Sequence, residues 1–315
     1  MKTCRSIIGN CSIAIVLFTS CLLIPATGPL LAFSANLSLP GVEVTSTRAQ
    51  AIAYIDSITV LEPSSTWPFI KPALFLQNLK KTIHDPISIY PGDGTNFCGY
   101  GALTYLLLME NPLGYAKLLL DIYRNGKGSL GKTQFHPSAA IRKAAGSLRF
   151  KGRLDIRPAE QMWYLCLADR FKGYLNFLNR NYDPGDEDKL WASVNYAKFN
   201  RMVRSLLHNE VHARGADLFR PRIDDLYTYI SERMKSGTVV LFINNRMMRK
   251  KNHTTIKLGL PTHYIVVEQL QLMDGMITMV YWDYGSKTLL QLSPSFLKRI
   301  LFGITYCTEI KSDAR

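Results

Sequence analysis

The run Gly94–Met109, GTNFCGYGALTYLLLM, constrains this chain more than any other stretch. From Cys98 onward it carries no charge, and wound as a helix it has no side suited to water. Such a helix belongs at the centre of a core, with other elements packed around it. Ahead of it, Pro86 to Pro91 is expected to run extended, because a residue preceding proline is pushed out of the helical region. The turn Gly92-Asp93-Gly94 then feeds the helix, and Cys98 stands at the junction. First-turn amides offer unsatisfied N–H groups and a positive dipole end, which favour a thiolate and can hold an oxyanion. A buried structural cysteine gains nothing from this placement. A nucleophilic thiolate also needs a base and a group to orient that base. His263 and Asp283 are the candidates.

With 315 residues, 47% hydrophobic and 20% charged, the composition is that of a globular chain of one or two domains. Between 46 and 79, Ala51, Ile52, Ile55 and Ile58 recur at helical spacing before Pro63, Pro68 and Pro72 break the pattern. Residues 35–85 therefore read as a leading helical segment or connector. Residues 112–236 read as mainly helical, with helices over Tyr115–Tyr123, Pro137–Gly146, Pro158–Arg170, Asp188–Glu210 and Ile223–Met234, several opened by proline. After Gly237 the character changes. Thr238–Ile243 is a buried strand, Thr262–Leu272 and Met276–Asp283 flank the hairpin turn Asp274-Gly275, and Lys287–Leu292 and Ile304–Ile310 are further strands around a helix starting at Ser293-Pro294. Helices first and sheet second is an α+β arrangement of two packed lobes. Unbroken pairing through Asp274-Gly275 sets 263 opposite 286. Asp283 is three residues from that position, a separation that twist and a bulge can close.

At the N-terminus Lys2 and Arg5 precede an uncharged apolar stretch from Ser12 to Phe33, followed by small residues, so 1–34 reads as an export segment. The competing reading is a membrane anchor, since about 20 apolar residues cross a bilayer, although Pro25, Gly28 and Pro29 interrupt the run. Cleavage near Ala32-Phe-Ser34 suits the small-residue rule; Phe18-Thr-Ser-Cys21 loosely resembles a lipoprotein acylation site, against which the apolar residues after Cys21 count. The destination is then periplasmic, outer-membrane-associated or secreted. Without 1–34, Cys98, Cys166 and Cys307 remain, an odd number that leaves at least one free thiol. The same removal leaves 36 basic against 24 acidic residues, a net charge of +12 that favours anionic surroundings. Arg246, Arg249, Lys250 and Lys251 form the densest basic patch, an anion-binding surface or a solvated loop. For an exported chain, wall polymers, lipid headgroups or acidic partners fit this charge better than nucleic acid. His208 and His212 fall one turn apart if the helix there is real, but in an order unlike the zinc-peptidase motif, so a polar helix face is expected and no metal. The phosphate-binding glycine motifs are missing, and no cofactor is expected.

The order of Cys98 in NFCGYGAL, His263 in PTHYIVVE and Asp283 in YWDYG resembles that of papain-like cysteine peptidases, in particular their bacterial C39-like relatives. The resemblance covers roughly 86–310. It implies a central helix that starts at the nucleophile and a sheet that supplies the histidine and its partner. The 165 residues between Cys98 and His263 are many for the family, and the helical insertion 112–236 within a catalytic domain 86–315 accounts for them. By position, Cys98 is implied as nucleophile, His263 as general base and then acid, and Asp283 as the group that fixes the ring. The glutamine that commonly precedes the family's cysteine is missing here. Asn96 is the nearest amide for the oxyanion, beside the Cys98 N–H. The implied function is an exported hydrolase of amide bonds in a peptide or in the peptide part of cell-wall material. The alternatives are a transglutaminase-like acyltransferase and an inactive binding protein of the same fold.

Overall fold

Helix α3 (Cys98–Glu110) is buried along its whole length, the fate its unbroken apolar sequence demands. The structure is a computed structural model and describes residues 39–40, 44–177, 179–245 and 262–310. Around α3 lie α1 (Arg48–Asp56), α2 (Pro72–His84), α4 (Pro112–Asn125), α5 (Ala139–Ala144), α6 (Pro158–Arg170) and α7 (Tyr196–Leu206). A short hairpin of β1 (Gly128–Leu130) and β2 (Thr133–Phe135) sits among them. The second half of the fold is a six-stranded antiparallel sheet. Its strands are β3 (Asn209–Gly215), β4 (Thr238–Ile243), β5 (His263–Met273), β6 (Met276–Asp283), β7 (Ser286–Leu292) and β8 (Leu301–Glu309), in the order β3-β8-β4-β5-β6-β7.

Alternation along the central strands explains why both sheet faces are covered. Val240, Phe242, Tyr264, Val266 and Trp282 point into the large core that holds α3, whereas Val239, Leu241, Ile243, Ile265 and Val267 pack under α8 (Leu226–Met234) and α9 (Pro294–Ile300). A strand covered on both sides reads as an unbroken apolar run. Thr238–Ile243 is such a strand, buried at all six positions.

The α+β class holds, and several local expectations need correction. The helix expected over Asp188–Glu210 begins only at Tyr196, because the Asn195 side chain caps it by accepting the Lys198 N–H at 2.9 Å. It ends at Leu206, and Asn209–Gly215 becomes an edge strand paired with β8. Pro86–Ser88 forms a 3-10 turn where an extended run was expected. The helix from Pro137 shortens to Ala139–Ala144. The leading segment joins the same core: Ala51, Ile55 and Phe75 pack inside it, and the Trp67 indole donates to the Ile122 carbonyl at 2.8 Å. No helix among the described residues is long and apolar enough to cross a membrane, and the expected export segment 1–34 lies outside them.

Candidate active site

The hairpin β5–β6 turns at Asp274-Gly275, both with positive φ (50° and 72°), the backbone of a tight primed turn. From there the pairing runs regularly from Met273 with Met276 to Gln269 with Val280. At Glu268 the register slips by one, so that Val267 pairs with Tyr281 and Val266 with Trp282. This bulge decides the site. Unslipped pairing sets Asp283 opposite Val266, whose side chain lies on the other face from His263. The slip moves Asp283 opposite Ile265, onto the face of His263 and two residues along from it.

There His263 Nε2 meets Asp283 Oδ1 at 2.5 Å. Tyr284, in the left-handed region at φ 42°, stacks its ring on the imidazole at 4.5 Å between centroids and 15° between planes. Gly285 follows at φ 82° and closes the turn into β7. The bulge is tied to α3: the Tyr105 hydroxyl donates to Glu268 Oε1 at 2.7 Å, Lys287 pairs with Glu268 Oε2 at 2.5 Å, and the Tyr105 ring stacks on Trp282 at 5.1 Å.

Cys98 opens α3 beside the first residues of β5, with Sγ 3.7 Å from the Thr262 carbonyl. His263 is 2% exposed, and its second ring nitrogen, Nδ1, makes no hydrogen bond. Burial alone pushes the imidazolium down. The hydrogen bond and charge of Asp283, together with the influence of the neighbouring Cys98 thiol, outweigh it and raise His263 to about 9. Cys98 thus stands beside the residue that precedes His263, and Asp283 holds the ring at Nε2. Burial, reinforced by Asp169, pushes the Cys166 thiol well up, and burial, reinforced by Glu110, pushes Cys307 up to about 12. Cysteines 98, 166 and 307 are all unpaired.

A cleft of about 290 Å³ opens at Cys98, lined by the apolar Leu175, Leu190, Val194 and Phe242 and by a few polar groups. One wall is the strap Ser193-Val194-Asn195, which lies against the first turn of α3. A Cβ on Gly99 would come within 2.8 Å of Val194 Cγ1, so the close approach requires glycine. Asn96 lines the cleft as well, but its amide nitrogen is engaged: it donates to the carbonyls of Asp188 at 2.8 Å and Lys189 at 2.9 Å, with Ser193 Oγ at 3.1 Å. Asn195, Asp217 and Tyr174 also line this cleft, and sequence reading missed all three. Asn195 lay inside the expected long helix, where its capping role was hidden.

His208 and His212 do not share a helix face. His208 precedes β3 and gives its backbone N–H to Glu110 at 2.7 Å, while His212 lies in the strand, 3.2 Å from Glu210. No group of three metal-ligating side chains occurs among the described residues. The basic patch of Arg246, Arg249, Lys250 and Lys251 lies outside the described residues. The chain matches no protein-family model, and no curated protein is significantly similar to it.

Proposed function

We propose that the chain is an exported, papain-like cysteine hydrolase that cleaves an amide bond in a peptide or in the peptide part of cell-wall material. The observation that carries this reading is the contact between His263 and Asp283 at 2.5 Å, with Cys98 Sγ 3.7 Å from the carbonyl of Thr262, the residue before that histidine. Asp283 orients the imidazole and offsets its charge, and the ring and the thiol share a proton to give a thiolate and an imidazolium. The thiolate attacks the carbonyl carbon; the C–S bond forms as the C=O pair moves onto oxygen. Collapse of that tetrahedral centre expels the amine, which takes its proton from His263, and leaves a thioester. Water then gives a proton to His263 and attacks the thioester. The acid departs and the thiolate returns.

Every described residue that lines the cleft comes from Asn96 or beyond. The test is timed alkylation of the native protein with iodoacetamide, read by peptide mass spectrometry. Cys98 is expected to react at neutral pH at least tenfold faster than Cys166 and Cys307, which serve as internal references. Equal, slow reaction at all three would remove the nucleophile and the reading with it.

A further inference from the structure

The family resemblance nominates Asn96 for the oxyanion, yet its amide nitrogen is committed to the carbonyls of Asp188 and Lys189. A donor held there braces the strap and cannot also turn toward a substrate. The described cleft wall holds another amide in the opposite condition. Asn195 is 3% exposed, and its Nδ2 makes no hydrogen bond. The Tyr174 hydroxyl lies close enough to interact with both Asn195 and Asp217, but it does not complete a bond to Nδ2. An unpaired buried donor costs about 1–3 kcal/mol, so its retention on a cleft wall points to a partner that arrives from the cleft.

The orientation of this amide is determined. Oδ1 accepts the Lys198 N–H at 2.9 Å as the cap of α7, which leaves Nδ2 as the end facing elsewhere; a flipped amide would set a donor against a donor. Its position is equally constrained. Val194 abuts Gly99, the residue after Cys98; the Val194 carbonyl accepts the Tyr264 hydroxyl at 3.3 Å; and the strap is pinned to Asn96 through Ser193. Asn195 and Cys98 thus line one cleft from adjoining elements. Asp217 next to it is occupied in part, accepting the Tyr196 N–H at 2.7 Å.

We infer that Asn195, in place of Asn96, supplies the side-chain hydrogen bond to the oxygen of the carbonyl attacked by Cys98, together with the Cys98 backbone N–H. The inference rests on the cysteine hydrolase reading. In the attack step the carbonyl pair becomes an oxyanion, which a side-chain amide donor beside the thiol stabilises.

The experiment compares two reactions of Cys98 in the full chain. A series of N-acetyl-dipeptidyl aldehydes adds reversibly to the thiol and leaves a hemithioacetal oxygen in the oxyanion position, whereas iodoacetamide alkylates the same sulfur without forming one. The readout is aldehyde affinity divided by alkylation rate. Asn195→Ser keeps a neutral capping oxygen and removes the amide donor, and this ratio is expected to fall about 100-fold, the scale of losing one oxyanion donor. Asn195→Asp keeps the cap and, ionised, carries no donor at all, whereas the serine hydroxyl can still donate over a shorter reach; thermal unfolding confirms that both are folded. An unchanged ratio in both variants overturns the inference, as does a 100-fold fall in Asn96→Ser with none in Asn195→Ser. Wild-type protein that alkylates selectively at Cys98 but binds no aldehyde also overturns it, leaving the nucleophile intact. If Cys98 is not selectively alkylated, the hydrolase reading itself fails.

Discussion

Replacing Asp283 by Asn tests whether the three residues act as a unit. The substitution keeps the shape and removes the charge that, with the hydrogen bond at 2.5 Å, works against burial to raise His263 to about 9. Against an ordinary histidine near 6.5, that difference corresponds to about 3 kcal/mol in favour of the charged ring. At pH 7.5 a group titrating at about 9 is roughly 97% protonated, and one titrating at 6.5 roughly 9%. The imidazolium population at that pH should therefore fall, by about tenfold if the ring returns to 6.5 and by less in so far as Cys98 still raises it. The sign of the linkage follows. A raised folded value contributes stability that is complete below about 6.5 and is lost as pH climbs through about 9. Wild-type stability should thus decline across that window, and the Asp283→Asn variant should lack this component. Ring-proton NMR titration of His263 measures the first quantity, urea unfolding at a series of pH values the second, and alkylation of Cys98 at pH 7.5 the functional consequence. A His263 titration unchanged in Asp283→Asn would refute the argument, whatever the effect on turnover.

Cys98→Ala should abolish turnover and labelling while shifting stability by no more than about 1–2 kcal/mol, checked by denaturant melts, because the change removes a single sulfur from a buried side chain at the cleft edge of the core. Gly99→Ala places a Cβ at 2.8 Å from Val194 Cγ1 and 2.9 Å from Val194 Cβ, so the strap must move; a cost of about 1–3 kcal/mol and a loss of aldehyde affinity are expected from melts and titration. Lys198 is buried, donates to the Ser193 carbonyl at 3.1 Å, and is lowered to about 7 by burial and then by Lys172 and Arg201. The lowered value means that the unfolded chain binds the proton more readily, so its penalty is complete below about 7 and fades as pH rises toward the unfolded value. Lys198→Met should therefore stabilise the protein at pH 6 more than at pH 10, and unfolding curves showing the reverse order would contradict this. Tyr105→Phe removes the hydroxyl that holds Glu268 at 2.7 Å; a loss of about 1–2 kcal/mol and a lowered His263 titration, read by NMR, are expected if the bulge positions the pair.

Elements with a strong local signature were legible in the sequence. The central helix announced itself by lacking a polar face, and the hairpin by Asp274-Gly275, whose positive φ values are the ones that turn needs. The sheet strands after Gly237 followed from runs that only buried strands carry. The failures share one cause, which is that their determinants are non-local. Asn209–Gly215 is a strand because β8, almost 100 residues further on, offers it an edge, while its own polar sequence favours no such state. Asn195 acts as a cap only once its helix starts at Tyr196, and a periodicity that continues upstream hides this.

The pairing of His263 with Asp283 adds a further step to that reasoning. Cys98, His263 and Asp283 could be nominated by residue type and placement, but alternation cannot decide whether the last two share a face, because β5 is apolar on both sides from Tyr264 to Val267. In an even register they face apart. What brings them together is a single inserted residue, Glu268, and nothing in the strand pattern marks it except an acidic side chain where the buried run stops. That carboxylate takes the Tyr105 hydroxyl from the nucleophile helix and Lys287 from the far strand, so the slip in register is anchored by groups on both sides of the sheet pair. The pairing of His263 with Asp283 thus depends on one acid for which no contact with either is seen, held in place by the helix that Cys98 begins.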